Sequence, residues 1–284
     1  MARNTKGRLG KDLEPKTPSI PDSVAAMTEG GGLNFATPTD FVELPSQGRF
    51  YPPDHPLSGE ETIEIKYMTA REEDILSSKT LIKQGVALER LLKSVIVDKR
   101  IKPSDMLTGD RNAILVASRI TGYGAEYNTK ITCPSCMQSG DYEYDLSEVV
   151  PSMVDEDEEA TWTDENTMLI NLPLTKIEVE VRLLTGKEEM HLARLQQSKK
   201  KKKLIETVLS DTLKSIIVSI NGESSRDLLE DFIKNVPAKD LRYLRAVYSR
   251  NTPNIDMSHD FECDNCSYQT VLEVPFTTDF FWPK

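Results

Sequence analysis

Two identically spaced cysteine pairs, Cys133-Pro134-Ser135-Cys136 and Cys263-Asp264-Asn265-Cys266, are the residues in this sequence best suited to chemistry. A two-residue gap lets both thiolates of a tight turn face one ion while backbone amides of the turn donate to the sulfurs. Two such turns make a tetrahedral four-sulfur shell, the usual closed structural zinc site. Cys133, Cys136, Cys263 and Cys266 are therefore expected to hold one zinc ion. A redox-active pair, an iron centre of similar geometry and plain reduced thiols are the alternatives. Redox chemistry fits less well, because no helix start follows Cys133 or Cys263 to lower a thiol pKa. Four protein ligands leave no position for water, so the ion is expected to be structural and the chain not an enzyme. His259, four residues before Cys263, could replace a cysteine but reads better as a surface histidine; His55 and His191 carry no recognisable partner.

The two pairs are separated by 126 residues, far more than a compact zinc ribbon needs. What brings them together must be the elements around them, and those elements come in two similar series. Thr62-Ile63-Glu64-Ile65-Lys66-Tyr67 alternates at period two and predicts a half-buried strand. Thr69 and Glu72 then form a capping box that opens a helix. Leu88, Leu91, Leu92 and Val95 continue a helical pattern, Pro103 suits the first turn of a short helix, and Asp110 to Ile120 shows one buried face. Tyr127 to Thr132 and Tyr142 to Leu146 predict strands on either side of the first cysteine turn. Farther on, Ile177 to Leu183 alternates again, and Thr185 and Glu188 repeat the capping box. Glu64 to Thr69 lies over Glu180 to Thr185, and Leu92 to Val97 over Leu213 to Val218. Leu44-Pro45 matches Leu172-Pro173, and Asp110 and Asp240 each precede a knuckle's first cysteine by 23 residues. This order predicts an internal duplication of an α+β unit, with small antiparallel sheets at the knuckles and a zinc-ribbon-like site shared between the lobes.

The expected organisation is a flexible arm over residues 1–38, a first lobe over 39–150, an acidic linker over 151–167, a second lobe over 168–275 and an aromatic tail over 276–284. The arm alternates Arg3, Lys6, Arg8, Lys11 and Lys16 with prolines and holds too little apolar surface to offset its ordering entropy. It reads either as a floppy terminus or as a segment that orders against a partner. The tail, with Phe280, Phe281, Trp282 and Pro283, either packs on its own core or anchors in a neighbouring subunit, where Trp and Phe are effective. It is assigned here to partner binding. Lys199 to Lys203 read as a solvated helix end or as a docking point for an acidic partner.

A net charge of −11 over 284 residues argues against a general nucleic-acid coat, which needs a basic surface. No apolar run reaches the roughly 18 residues of a membrane span. The basic stretch Met1 to Gly10 is not followed by a hydrophobic one, so no secretory signal is expected and the cysteines are expected to meet a reducing compartment. Phosphate loops, nucleophile elbows and metalloprotease helices are not found.

The run Phe41-Val42-Glu43-Leu44-Pro45-Ser46, Gly48 and Tyr51-Pro52, followed by Tyr67-Met68-Thr69-Ala70-Arg71-Glu72-Glu73-Asp74-Ile75-Leu76, resembles the baseplate hub protein family of contractile-tailed phages of the T-even type. Gly109-Asp110-Arg111, Tyr123-Gly124, Cys133-Pro134-Ser135-Cys136 and the Phe280-Phe281-Trp282-Pro283 ending extend the resemblance over about residues 41–284; the basic arm and the lysine run lie outside it. It implies a structural virion protein of the tail baseplate, assembled in the host cytoplasm. Other baseplate and tail proteins in a symmetric multi-subunit assembly would be its partners, with no membrane insertion and no specific nucleic acid. A transient assembly factor absent from finished particles, and more distantly a zinc-ribbon nucleic-acid-binding protein, are the competing expectations.

Overall fold

The computed structural model describes residues 36–152, 159–205, 207–274 and 278–281. Contacts divide the chain into Met1–Thr39 and Asp40–Lys284. The first unit, which carries the expected arm, lies almost wholly outside the described residues; the second holds the elements and the site described below.

Strands β1 (Thr39–Glu43) and β2 (Thr62–Lys66) pair, and the period-two pattern of β2 turns Ile63 and Ile65 into the core. β2 ends at Lys66, and Thr69 opens α1 (Ala70–Ser77) with the expected capping box, both reciprocal hydrogen bonds being present. Two short helices come next, α2 (Lys79–Gln84) and α3 (Ala87–Val95). The latter buries Leu91, Leu92 and Val95, the stripe its spacing predicts. The chain then returns along β2, where Ile96 bridges to Ile65. After a 3-10 turn at Pro103–Asp105 comes α4 (Thr108–Tyr123), with Ala113, Ile114, Leu115 and Val116 buried. Strands β3 (Glu126–Thr132) and β4 (Ser139–Asp145) form an antiparallel hairpin around the first cysteine pair.

The segment expected to be a linker also carries structure at its ends. Strand β5 (Val150–Ser152) pairs with a later strand, and β6 (Ala160–Trp162) is the edge of a four-stranded sheet. The acidic residues Asp155 to Glu158 between them lie outside the described residues. The strands were not legible because three-residue elements are too short to show a period, and pairing decides them.

That sheet continues through β7 (Thr167–Asn171), β8 (Glu178–Arg182) and, after α5 (Gly186–Lys201) and α6 (Val208–Ile216), β9 (Ile217–Ile220), in the order β6-β7-β8-β9 and antiparallel throughout. Helices α7 (Arg226–Asn235) and α8 (Ala238–Arg250) come after it. Next are β10 (Asn254–Asp256), which is the partner of β5, the hairpin β11 (Ser258–Glu262) and β12 (Gln269–Glu273), and a 3-10 turn at Thr278–Phe281.

Contacts recur between the two series at the aligned positions. Glu72 accepts from Thr69 and pairs with Lys66 at 2.8 Å; Glu188 accepts from Thr185 and pairs with Arg182 at 3.7 Å. Ile65 faces Ile96 across an antiparallel bridge, and Val181 faces Ile217. The Ser46 amide donates to the buried Asp110 carboxylate at 3.0 Å, and the Leu174 amide donates to the buried Asp240 carboxylate at 2.9 Å. The two carboxylates differ in balance. For Asp110 burial outweighs its donors and pushes the pKa up. For Asp240 burial acts the same way, but the Thr175 hydroxyl and the Leu174 and Thr175 amides overcome it and hold the pKa low.

Main-chain bonds join the series directly. Thr108 N–H donates to Leu184 O at 3.0 Å and Gly186 N–H to Met106 O at 2.9 Å, around a bridge between Leu107 and Thr185. The approach is close enough to require glycine: a Cβ on Gly186 would sit 1.5 Å from Arg111 Nη1, and one on Gly109 would sit 2.0 Å from the Pro253 carbonyl oxygen.

Candidate metal centre

Each cysteine pair occupies a turn between two strands of a hairpin, and both turns are built alike. Cys133 N–H donates to Gln138 O at 2.8 Å and Met137 N–H to Cys133 O at 2.9 Å. In the second turn Cys263 N–H donates to Tyr268 O at 3.0 Å and Ser267 N–H to Cys263 O at 2.8 Å. Met137 and Ser267 both take left-handed backbone, at φ 60° and 53°. These tight turns point both sulfurs of each pair the same way.

The hairpins face each other through their inner side chains. Tyr142 lies against Phe261 with ring centroids 4.8 Å apart, and its hydroxyl donates to Glu262 O at 3.0 Å. Tyr144 meets His259 edge-on at 4.9 Å. This stacking carries the two knuckles into contact. The Sγ atoms of Cys133 and Cys266 are 3.8 Å apart, those of Cys136 and Cys263 are 3.7 Å apart, and all four lie within 4.8 Å of one another. No pair is bonded as a disulfide, and the separations are well beyond the roughly 2.05 Å such a bond requires. They fit a different object: a tetrahedron of sulfurs at about 2.3 Å from a central zinc has edges of about 3.8 Å.

Cys136 and Cys266 titrate unlike free cysteines. The Gln138 backbone N–H and then the Asn265 side-chain amide, whose Nδ2 is 3.6 Å from Cys136 Sγ, draw the Cys136 pKa down to about 6. Cys266 receives a hydrogen bond from the Tyr268 backbone that favours its thiolate, but burial and the three neighbouring sulfurs push it up to about 11. Four sulfurs this close cannot all ionise against one another without a cation among them. The donor set is soft, tetrahedral and compatible with zinc. Cys133 and Cys263 are buried, Cys136 is half-buried and Cys266 is exposed, so the site lies at the rim of the hairpin pair.

The expected cysteines are thus brought together. His259 is not among them; its ring packs on Tyr144. The aromatic pairs and Asn265 were missed in the sequence, though Tyr142 and Tyr144 alternate with acidic residues on β4 as inward residues should.

From the sequence the aromatic ending, assigned to partner binding, either packs on its own core or anchors in a neighbouring subunit; within this chain Phe280 and Phe281 take the first setting. Both rings are buried in the chain's own core, Phe280 against Tyr127 at 5.2 Å and against Phe281 at 5.1 Å. The physical reason lies in Arg119, itself buried, whose Nε donates to Phe280 O at 2.7 Å while its other nitrogens hold the carbonyls of Gly124 and Glu126. Trp282 and Pro283 lie outside the described residues. The lysine run ends α5 as expected, with Lys199 paired to Asp211 at 2.6 Å. Among the described residues no helix is long and apolar enough to cross a membrane.

Residues 39–282 match the family model described as T4 bacteriophage base plate protein. No curated protein and no solved structure matches the chain.

Proposed function

We propose, from the premise that the chain belongs to the T4 bacteriophage base plate protein family, that it is a rigid structural part of the baseplate hub, its two halves stapled by one zinc ion. The family supports a structural role in the phage baseplate, with other baseplate proteins as partners and the virion tail as location. The single observation that carries the finer reading is the four-sulfur cluster, to which each half contributes one knuckle with the same hydrogen-bond pattern.

On this reading Cys133, Cys136, Cys263 and Cys266 hold the ion, and bound zinc supplies cross-linking free energy and no reaction chemistry. A shell closed by four protein sulfurs leaves no site for a reacting water. The recurring capping boxes, bridges and buried aspartates support descent of the halves from one duplicated unit. The ion then sits where equivalent knuckles of the copies meet. Its contribution is stiffness: the hairpins bury few apolar residues of their own, and a metal cross-link offsets that deficit. A stiff two-lobed body suits a contractile machine, whose hub must keep its neighbours in register until the tail fires.

The reading is tested by carrying Cys133→Ser and Cys266→Ser together in the phage. Unstable or misassembled baseplates are expected. Stable infectious particles with normal tails would contradict the zinc-stapled hub. Mass spectrometry of purified virions completes the test: the chain is expected in the particle, and its absence would assign it to transient assembly instead.

A further inference from the structure

The chain carries two exposed faces of opposite charge, each with an apolar centre. One is the corner between α5 and α6. Lys199 to Lys203 end there, and Leu204 (57% exposed), Ile205 (85%), Val208 and Leu209 stand in solvent beside them. Among the described residues only Lys199 of the run is engaged by an acid, Asp211. A solvated helix end explains the lysines through the helix dipole, but it does not explain four exposed aliphatics next to them.

The other face is the outer side of the β11–β12 hairpin. Asp260 stands directly across from Val271, which is 60% exposed, with Glu262 and Glu273 on the same face. Neither strand contains a lysine or arginine, and none of these carboxylates forms an ion pair among the described residues. An acidic rim around an exposed aliphatic is the complement of a lysine cluster around exposed aliphatics.

We propose that the α5–α6 corner of one copy docks on the outer β11–β12 face of a second copy. Because the two patches differ, the contact is head-to-tail, and it closes into a ring or extends as a chain rather than stopping at a two-fold dimer. The lysines steer and orient the encounter, and burial of Leu204 and Ile205 against Val271 supplies most of the affinity. The lysine corner lies away from the four sulfurs, whereas the acidic face is the outer side of the hairpin that carries Cys263 and Cys266. The contact therefore needs that hairpin folded, and the variants that test it keep all four cysteines.

Sedimentation of the full chain over a concentration series, at about 0.05 M and about 0.5 M salt, tests it. Concentration-dependent association that weakens at high salt is expected. Lys200→Glu with Lys202→Glu on one variant, and Asp260→Lys with Glu273→Lys on another, are each expected to weaken self-association at least tenfold while leaving circular dichroism and Tm unchanged. Mixing the two variants is expected to restore a pair, since one keeps the acidic face and the other the basic corner. A wild-type chain that is monomeric at every concentration would overturn the proposal. So would variants that associate like wild type, or a basic corner that binds anionic vesicles while the chain stays monomeric.

Discussion

Cys136 and Cys263, 127 positions apart in the chain, hold their sulfurs 3.7 Å from each other. Each belongs to a different hairpin, and among the described residues the sulfurs are accompanied by the Tyr142–Phe261 and Tyr144–His259 ring contacts, the Tyr142 hydroxyl on Glu262 O and the Asn265 amide on Cys136 Sγ. Removing the ion should therefore loosen the hairpins before the body. Chelation is expected to raise amide exchange in β3–β4 and β11–β12 while α4, fixed by the Leu107–Thr185 bridge and its core contacts, stays protected. Acid should act in the same direction, because protons compete with zinc for sulfur and its affinity falls as pH falls. Hydrogen exchange with and without chelator, at two pH values, checks both statements.

Glu72 is fully buried at the start of α1. Burial alone would raise its pKa, but Lys66, the Ser94 hydroxyl and Thr69 outweigh it and draw the carboxyl from 4.5 to about 2. A folded pKa below the unfolded one means a contribution complete above about pH 4.5 and lost as pH falls toward 2. Glu72→Gln is expected to cost on the order of 2 kcal/mol at neutral pH, and the gap to wild type should close in acid. Urea melts from pH 7 to pH 3 measure it.

Gly109 admits no side chain, because its Cβ would meet the Pro253 carbonyl oxygen at 2.0 Å and backbone cannot swing aside. Gly109→Ala should destabilise by about 1–3 kcal/mol or more through overpacking. Gly59, where nothing lies within 4 Å, is no control, since its positive φ of 77° strains any replacement. A better comparison is Ser104→Ala in the 3-10 turn, where the hydroxyl donates to the neighbouring Asp105 carboxylate; it is expected to be neutral within about 0.5 kcal/mol. Thermal melts of the two variants separate the outcomes.

Arg119 clamps three carbonyls and, through Phe280, the final turn. Arg119→Met keeps the stem but removes those three hydrogen bonds, at a cost of about 3 kcal/mol. Limited proteolysis is expected to cut after Phe280 or Phe281 in the variant well before wild type. Equal cleavage rates would show that the turn is held by its rings alone.

Much of this was legible in the sequence wherever the signal was local. Thr69 with Glu72 and Thr185 with Glu188 announced helix starts because both partners lie within one turn. Ile63 and Ile65, or Val179 and Val181, announced strands by period. The cysteines were legible through their spacing, and their convergence through the matched order of elements. What stayed hidden depends on partners distant in sequence. The pairing of Glu72 with Ser94, the Tyr51 hydroxyl on Asp110 and the reach of Arg119 to Phe280 leave no trace in any short window. The setting of Phe280 stayed open between the chain's own core and a neighbour for that reason: an apolar ending says that it must be buried, and a buried arginine on α4 says where.

The stapled body stands or falls on the ion. Metal analysis of the purified full chain, by inductively coupled plasma mass spectrometry, is predicted to return one zinc per chain, lost when Cys133 and Cys266 are both replaced by serine. A chain purified under reducing conditions that carries no zinc, or that keeps zinc in the double variant, would contradict it.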